Sequence, residues 1–147
     1  MRRSTLKTLS RLHTALYRLT RGLVGRRLVD NDMLLLVTTG RFTGRRHTVP
    51  LLYLTEGEAL IVIASYGGRD RHPDWWLNLE RKPEAEVQVD GKRLSIRAQR
   101  ATSEEKERLW PRVIDAYHAY ADYQARTERD IPVVLLHPIG RGAGAGA

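Results

Sequence analysis

Thr38–Tyr53, TTGRFTGRRHTVPLLY, follows the apolar run Met33–Val37 and leads into a second one, Val49–Leu54. Two apolar runs of strand length around a short polar link predict a strand, a loop and a returning strand. Gly40 and Gly44 tolerate backbone angles that other residues avoid, so the link can turn tightly and expose its N–H groups. Arg41, Arg45, Arg46 and His47 add donors suited to phosphate or carboxylate. The segment reads either as an anion-binding hairpin or as a solvated, charged hairpin tip, and charge pattern alone does not choose between them.

Downstream the pattern stays β-rich. Strands are expected at Met33–Thr39, His47–Thr55, Ala59–Ser65, Glu84–Val89, Lys92–Ala101 and Ile131–His137, with turn signals at Glu56-Gly57 and Asp90-Gly91. Tyr66–His72 reads as a loop. Pro73 suits the start of a short helix over Asp74–Arg81. Thr102 with Glu105 forms a capping-box pattern opening another helix, which Pro111 is expected to kink or split, with Val113–Ala125 continuing it. Hairpin-type links without regular strand–helix alternation argue against a doubly wound parallel sheet. About six antiparallel strands closing into a small barrel account for the pattern, because closure removes exposed sheet edges.

The chain has 147 residues, enough for one domain with an ordinary core. It has no cysteine, which excludes disulfides, thiolate metal sites and cysteine nucleophiles. The net charge is +8, and residues 1–29 hold eight Lys/Arg and no acid, so the chain from Asp30 onward is formally neutral. No nucleic-acid partner is expected, since such a domain would carry its basic face on the body. Leu6, Leu9, Leu12, Leu16, Leu19, Leu23 and Val24 form one helical stripe opposite the arginines. That arm is expected either to pack on the body or to lie on an anionic membrane surface through residues 1–27. No stretch is long and apolar enough to span a bilayer. The expected organisation is an arm over 1–29, a barrel over 30–139 and a flexible tail over 140–147.

No established catalytic constellation is present. G-x-S-x-G, H-E-x-x-H and the Walker loop are all missing, and five scattered histidines lack metal spacing, so no metal site is expected. What remains are binding features. Ser65–Gly68 ends a buried strand in Ser-Tyr-Gly-Gly, where backbone can approach a flat ligand; a simple loop reads equally well. In His72–Leu79 the adjacent Trp75 and Trp76 point to different sides of a helix, so either both pack the core or one walls a pocket. Tyr117, Tyr120 and Tyr123, in steps of three, place their hydroxyls along one helical edge, as donors or as a packing stripe.

These features in this order resemble the deazaflavin-dependent nitroreductase family, split-β-barrel oxidoreductases that use coenzyme F420. The resemblance runs from about Leu34 to about Pro138 and rests on TTGRFTGRRHTVPLLY, VIASYGGRDRHPDWWLNL, AEVQV, ATSEEKERLWPRV and AYHAYADYQARTERDIPVV. Only four of the 25 Lys/Arg are lysine, a bias in keeping with the GC-rich actinobacteria where the family abounds. By this likeness the cofactor's phosphate and oligoglutamate tail would meet Arg41, Phe42, Thr43, Gly44, Arg45, Arg46 and His47. The deazaflavin ring would lie over Pro50, Leu51 and Leu52 and over Ile63, Ala64, Ser65, Tyr66, Gly67 and Gly68. Asp74, Trp75, Trp76, Leu77 and Asn78 would close one side, and Tyr117, Tyr120 and Tyr123 would line the catalytic, substrate-facing side. Phe42, His47 and Tyr66 depart from the family's basic residues, each removing a charge that would face the tail.

The resemblance implies hydride transfer from reduced deazaflavin to a small-molecule acceptor, a quinone, an enone or a nitroaromatic, in the cytoplasm or at the inner membrane face, with a homodimer as one assembly. The alternatives are a non-catalytic F420 or flavin carrier and an FMN-dependent split-barrel reductase.

Overall fold

In the computed structural model, residues 33–139 are described. The expected arm over 1–29 and the tail over 140–147 lie outside them. Seven strands form one antiparallel sheet: β1 Met33–Thr39, β2 Arg46–Leu52, β3 Leu54–Glu56, β4 Ala59–Ile63, β5 Glu84–Val89, β6 Lys92–Arg100 and β7 Val133–Pro138. Their order across the sheet is β2-β1-β5-β6-β7-β4-β3. Three helices are added: α1 Asp74–Arg81, α2 Ser103–Ala116 and α3 Ala119–Ala125, with a one-turn 3₁₀ segment at Tyr66–Gly68.

The connection between β2 and β3 sets the shape. These strands occupy opposite edges of the sheet, yet only Tyr53 separates them in the chain. One residue spans about 3.5 Å, so the two edges must lie side by side and the sheet must roll into a barrel. β2 also lies against β4. The barrel is split there, since no ladder joins β2 to β3. This is also why the expected single strand His47–Thr55 becomes two, and the count seven rather than six: the chain changes neighbours at Tyr53.

Period-two alternation divides the side chains. Leu34 and Leu36, Leu60 and Val62, Val87 and Val89, Ile96, and Val134 and Leu136 fill the barrel together with Trp75, Trp76 and Leu79 of α1. The intervening Ile61, Ile63, Val133 and Leu135 point outward and are covered by Leu109, Val113 and Tyr120 of α2 and α3. Burial on both faces explains the unbroken apolar run of β1.

The capping box forms as expected: Glu105 N–H donates to the Thr102 hydroxyl at 3.1 Å, and Thr102 N–H to Glu105 Oε1 at 2.9 Å. Pro111 does not split α2 into separate helices. The helix runs through it and stops at Tyr117, whose backbone has left helical geometry at φ −142° and ψ 89°. Pro111 lies on the exposed side, where the carbonyl it leaves unpaired can meet water.

Candidate functional site

The loop between β1 and β2 is closed on itself. Gly40 N–H donates to the Arg45 carbonyl at 2.7 Å, Gly44 N–H to the Gly40 carbonyl at 2.8 Å, and Arg45 N–H to Thr43 Oγ1 at 3.1 Å. Arg41 N–H donates to Asn78 Oδ1 at 3.1 Å. The glycine turn therefore directs most of its N–H groups inward, contrary to the expectation that it would display them. A Cβ at Gly40 would lie 2.7 Å from His47 Nε2 and 2.8 Å from Thr43 Oγ1, so these two side chains would have to move aside.

Buried Asn78 is the anchor. Its amide donates to Thr38 Oγ1 at 3.1 Å while its oxygen also accepts from the Arg41 guanidinium at 2.9 Å. Arg41 reaches Asp74 as well, at 3.2 Å, and stacks on the Phe42 ring at 4.6 Å. Arg46 pairs with Glu86. Of the three loop arginines, Arg45 is the one with no ion-pair partner among the described residues; it is exposed beside Phe42, whose surface is 87% accessible, and beside Thr43, Gly44 and His47. Two arginines singled out from sequence thus tie the loop to the barrel, and the loop's unpaired permanent charge reduces to Arg45.

The second glycine turn is built the opposite way. Ser65 is right-handed (φ −75°, ψ −37°), and Tyr66, Gly67 and Gly68 are left-handed at φ 48°, 64° and 81°. A right-handed residue followed by a left-handed one forms a concave nest of N–H groups. Gly68 N–H donates to the Ser65 carbonyl at 2.9 Å and Arg69 N–H to the Tyr66 carbonyl at 3.3 Å, whereas the N–H groups of Ser65, Tyr66 and Gly67 have no acceptor among the described residues. The Arg69 and Arg71 guanidinium groups lie 4.6 Å and 5.6 Å from the Tyr66 ring centre, and neither has an ion-pair partner among the described residues. Gly68 sits against α3, where a Cβ would come within 2.7 Å of the Tyr123 carbonyl; the other end of the segment, Pro73, caps α1.

Tyr117, Tyr120 and Tyr123 form an edge-to-face stack with ring centres 6.0 Å and 5.8 Å apart, although a helix break separates the first from the others. Tyr117 hydroxyl donates to the Tyr53 carbonyl at 3.4 Å. Burial, then the neighbouring Tyr117 and Tyr123, push the Tyr120 hydroxyl well above the ordinary phenol range, so it stays protonated at neutral pH. Ile63 shares the cluster of Tyr120 on the outer face, while Ala64 turns into the barrel. Trp75 and Trp76 both pack in the barrel, and Trp76 Nε1 is buried without a partner among the described residues. Leu77 is half-buried, as are Pro50, Leu51 and Leu52 on β2, where an edge position accommodates the proline.

Sequence reasoning missed Arg129. Its guanidinium donates to the carbonyls of Arg69 (2.7 Å), Ala64 (3.2 Å) and Ser65 (2.7 Å), and lies 3.0 Å from His72 Nδ1. No local pattern marks it; it is one arginine among the charges of ARTERD between a helix and a strand.

A family model for the F420H(2)-dependent quinone reductase matches residues 9–138. The chain is similar to the F420H(2)-dependent quinone reductase Rv1261c of Mycobacterium tuberculosis, at 40% identity over 133 residues, 87% of this chain and 89% of that one. Among solved structures it is similar to an F420-H2 dependent reductase, FDR-A, at 36% identity and TM-score 0.66, covering 72% of this chain and 94% of that one. A second, described as a domain-swapped dimer, matches at 32% identity and TM-score 0.68 over 86% of this chain and 96% of that one. HutZ, the heme storage protein of Vibrio cholerae, shares the fold at 13% identity and TM-score 0.57, covering 75% of this chain and 83% of that one.

The residues present suit a planar, polyanionic cofactor. Among the described residues the guanidinium groups of Arg45, Arg69 and Arg71 have no ion-pair partner and match phosphate and carboxylate, the N–H groups at 65–67 have no acceptor and match ring carbonyls, and nothing stands where a Cβ of Gly67 would lie. The chain belongs to the F420H(2)-dependent quinone reductase family, oxidoreductases whose cofactor is coenzyme F420.

Proposed function

We propose that this chain reduces a quinone at the Ser65–His72 segment, with the nest of that turn holding the ring end of the cofactor and Tyr120 facing the acceptor. The observation that carries this reading is adjacency: the turn with undonated N–H groups packs at Gly68 directly on the helix that bears the tyrosine stack. When bound, reduced F420 supplies the hydride from its deazaflavin ring.

The polypeptide does the rest. Arg45, Arg69 and Arg71 hold the phosphate and acidic tail with charge-assisted donors. The Ser65, Tyr66 and Gly67 N–H groups take up negative charge on the ring edge. The β2 strand around Pro50–Leu52 and the buried outer cluster keep water from the reacting face. The Tyr120 hydroxyl, held protonated, donates a hydrogen bond to the quinone oxygen as charge develops there; its raised pKa makes it a donor first and a proton source second. Enones and nitroaromatics, whose oxygen atoms accept a hydrogen bond in the same way, are further acceptors of the same site.

Mixing the protein with reduced F420 and menadione, and following reoxidation of the deazaflavin by absorbance, tests the reading. Turnover is expected; binding of F420 without reoxidation would instead mark a carrier. Tyr120→Phe should lower kcat about tenfold, the worth of one hydrogen bond to a charged group, while leaving F420 affinity unchanged. Wild-type kcat in that variant would remove Tyr120 from the site.

A peripheral membrane contact through residues 1–27 fits an apolar acceptor and the eight Lys/Arg without an acid over residues 1–29. Deletion of 1–27 should release the protein from anionic vesicles and spare F420 binding; equal vesicle binding by both forms would end that idea.

A further inference from the structure

We propose that Arg129 is a positioning residue that creates the donor pair of the Ser65–Gly68 turn. The proposal rests on the reading of that turn as the ring-end site, and it assigns the turn's geometry to a side chain from the other end of the chain.

In a trans peptide the C=O and the N–H point in opposite directions. Arg129 binds the carbonyl of Ala64 and the carbonyl of Ser65. These belong to the two successive peptides whose N–H groups are those of Ser65 and Tyr66. Because Ser65 is right-handed at φ −75° and ψ −37°, the two peptide planes run nearly parallel. With both carbonyls turned toward the guanidinium, both N–H groups are turned away from it, side by side and without an acceptor among the described residues. The strain of a non-glycine residue at φ 48°, Tyr66, is thereby held in place.

Arg129 also spans the segment, reaching Arg69 carbonyl and His72 Nδ1, so one side chain gathers four acceptors from 64 to 72. It is itself fixed from behind. Gln124 Nε2 donates to the Arg129 carbonyl at 2.8 Å, and Gln124 Oε1 accepts from Lys106 Nζ at 2.8 Å and from Ile131 N–H at 3.1 Å. Four acceptors arranged around a planar fork are a guanidinium's geometry; an ammonium with three donors cannot reproduce them.

The test uses the full-length protein with two probes, F420 and the deazaflavin riboside that lacks phosphate and tail. Arg129→Lys should weaken both ligands about tenfold, whereas Arg45→Ala should weaken only F420. In the wild type, the Ser65 and Tyr66 amide resonances should shift on adding the riboside, and in Arg129→Lys they should not, a change that general destabilisation would not produce. Where Arg129→Lys proves unfolded by thermal melting, Ser65→Pro reads the same donor pair. Its φ suits proline and it deletes one N–H that bonds nothing in the fold, so riboside affinity should fall about tenfold while both Arg129 carbonyl contacts stay. Wild-type riboside affinity in either folded variant overturns the proposal and leaves the function standing. Failure of the wild type to bind F420 overturns both.

Discussion

The two glycine turns of this barrel look alike in sequence and differ in what they offer a ligand. Gly40–Gly44 lies in a run of basic residues, yet the N–H groups of Gly40, Arg41 and Gly44 are engaged within the fold, and two of its arginines, Arg41 and Arg46, pair with Asp74 and Glu86. What it presents outward is side-chain charge, chiefly Arg45. Ser65–Gly68 has no charge of its own, but among the described residues three of its successive N–H groups have no acceptor, and the flanking Arg69 and Arg71 have no ion-pair partner. One turn offers long, adaptable reach for a flexible acidic tail; the other offers fixed dipoles for a rigid ring. Density of basic residues is therefore a poor guide to which loop is the more organised site.

Substitution at the glycines should separate the turns most sharply. Gly68→Ala faces both a left-handed φ of 81° and the Tyr123 carbonyl at 2.7 Å, and should destabilise the fold by about 3 kcal/mol. Gly44→Ala has a similar φ of 72° but open space, and should lose only about 1 kcal/mol. Urea unfolding of both variants checks this, and equal losses would mean that α3 yields easily at Gly68.

The arginines supply a smaller contrast. Arg45→Ala should weaken F420 binding about tenfold and flatten its salt dependence without altering stability. Arg41→Ala should do the reverse, losing about 1 kcal/mol of stability through its partly buried contacts with Asp74 and Asn78 while binding stays near wild type. Fluorescence titration of F420 at two salt concentrations, paired with thermal melts, distinguishes the two. If Arg41→Ala proved the weaker binder, the first turn would be gripping the tail through its base rather than its tip.

The smallest effect concerns pH. Burial, then the Arg129 guanidinium, hold His72 below its ordinary range, with Glu80 opposing and Arg100 reinforcing the shift. A base with a depressed folded-state pKa is protonated first in the unfolded chain. Stability is thus fully present above about pH 6.5, the ordinary histidine value, and declines as pH falls below it toward the folded-state pKa. Melting temperature followed from neutral pH downward should show this slope, and His72→Gln should reduce it, because the glutamine oxygen can accept from Arg129 without titrating.

Local pattern carried much of the fold. The bounds of β1, β5 and α1 agree with the residue ranges read from periodicity and turn residues, and the Thr102–Glu105 capping box agrees atom by atom. These depend on neighbours in sequence. What escaped depends on neighbours in space. The break at Tyr53 comes from a change of strand partner, which no property of VPLLYLTE encodes. Pro111 is tolerated because its helix face is turned to solvent. That both Trp75 and Trp76 pack the core was one of the two readings the sequence offered; α1, wedged among the barrel's inward side chains, decides for it. In the site, the tyrosine spacing and the two glycine turns were legible as features. Which arginines were already engaged, and that Arg129 gathers the second turn, were not, because each depends on a partner 33 to 65 residues away.

Tyr53 joins the first and last strands of the sheet order with no slack. Sheet margins commonly fray one at a time, each at little expense to its far side. Here the two margins, β2 and β3, are tied at a single residue, so loosening either one pulls on the other.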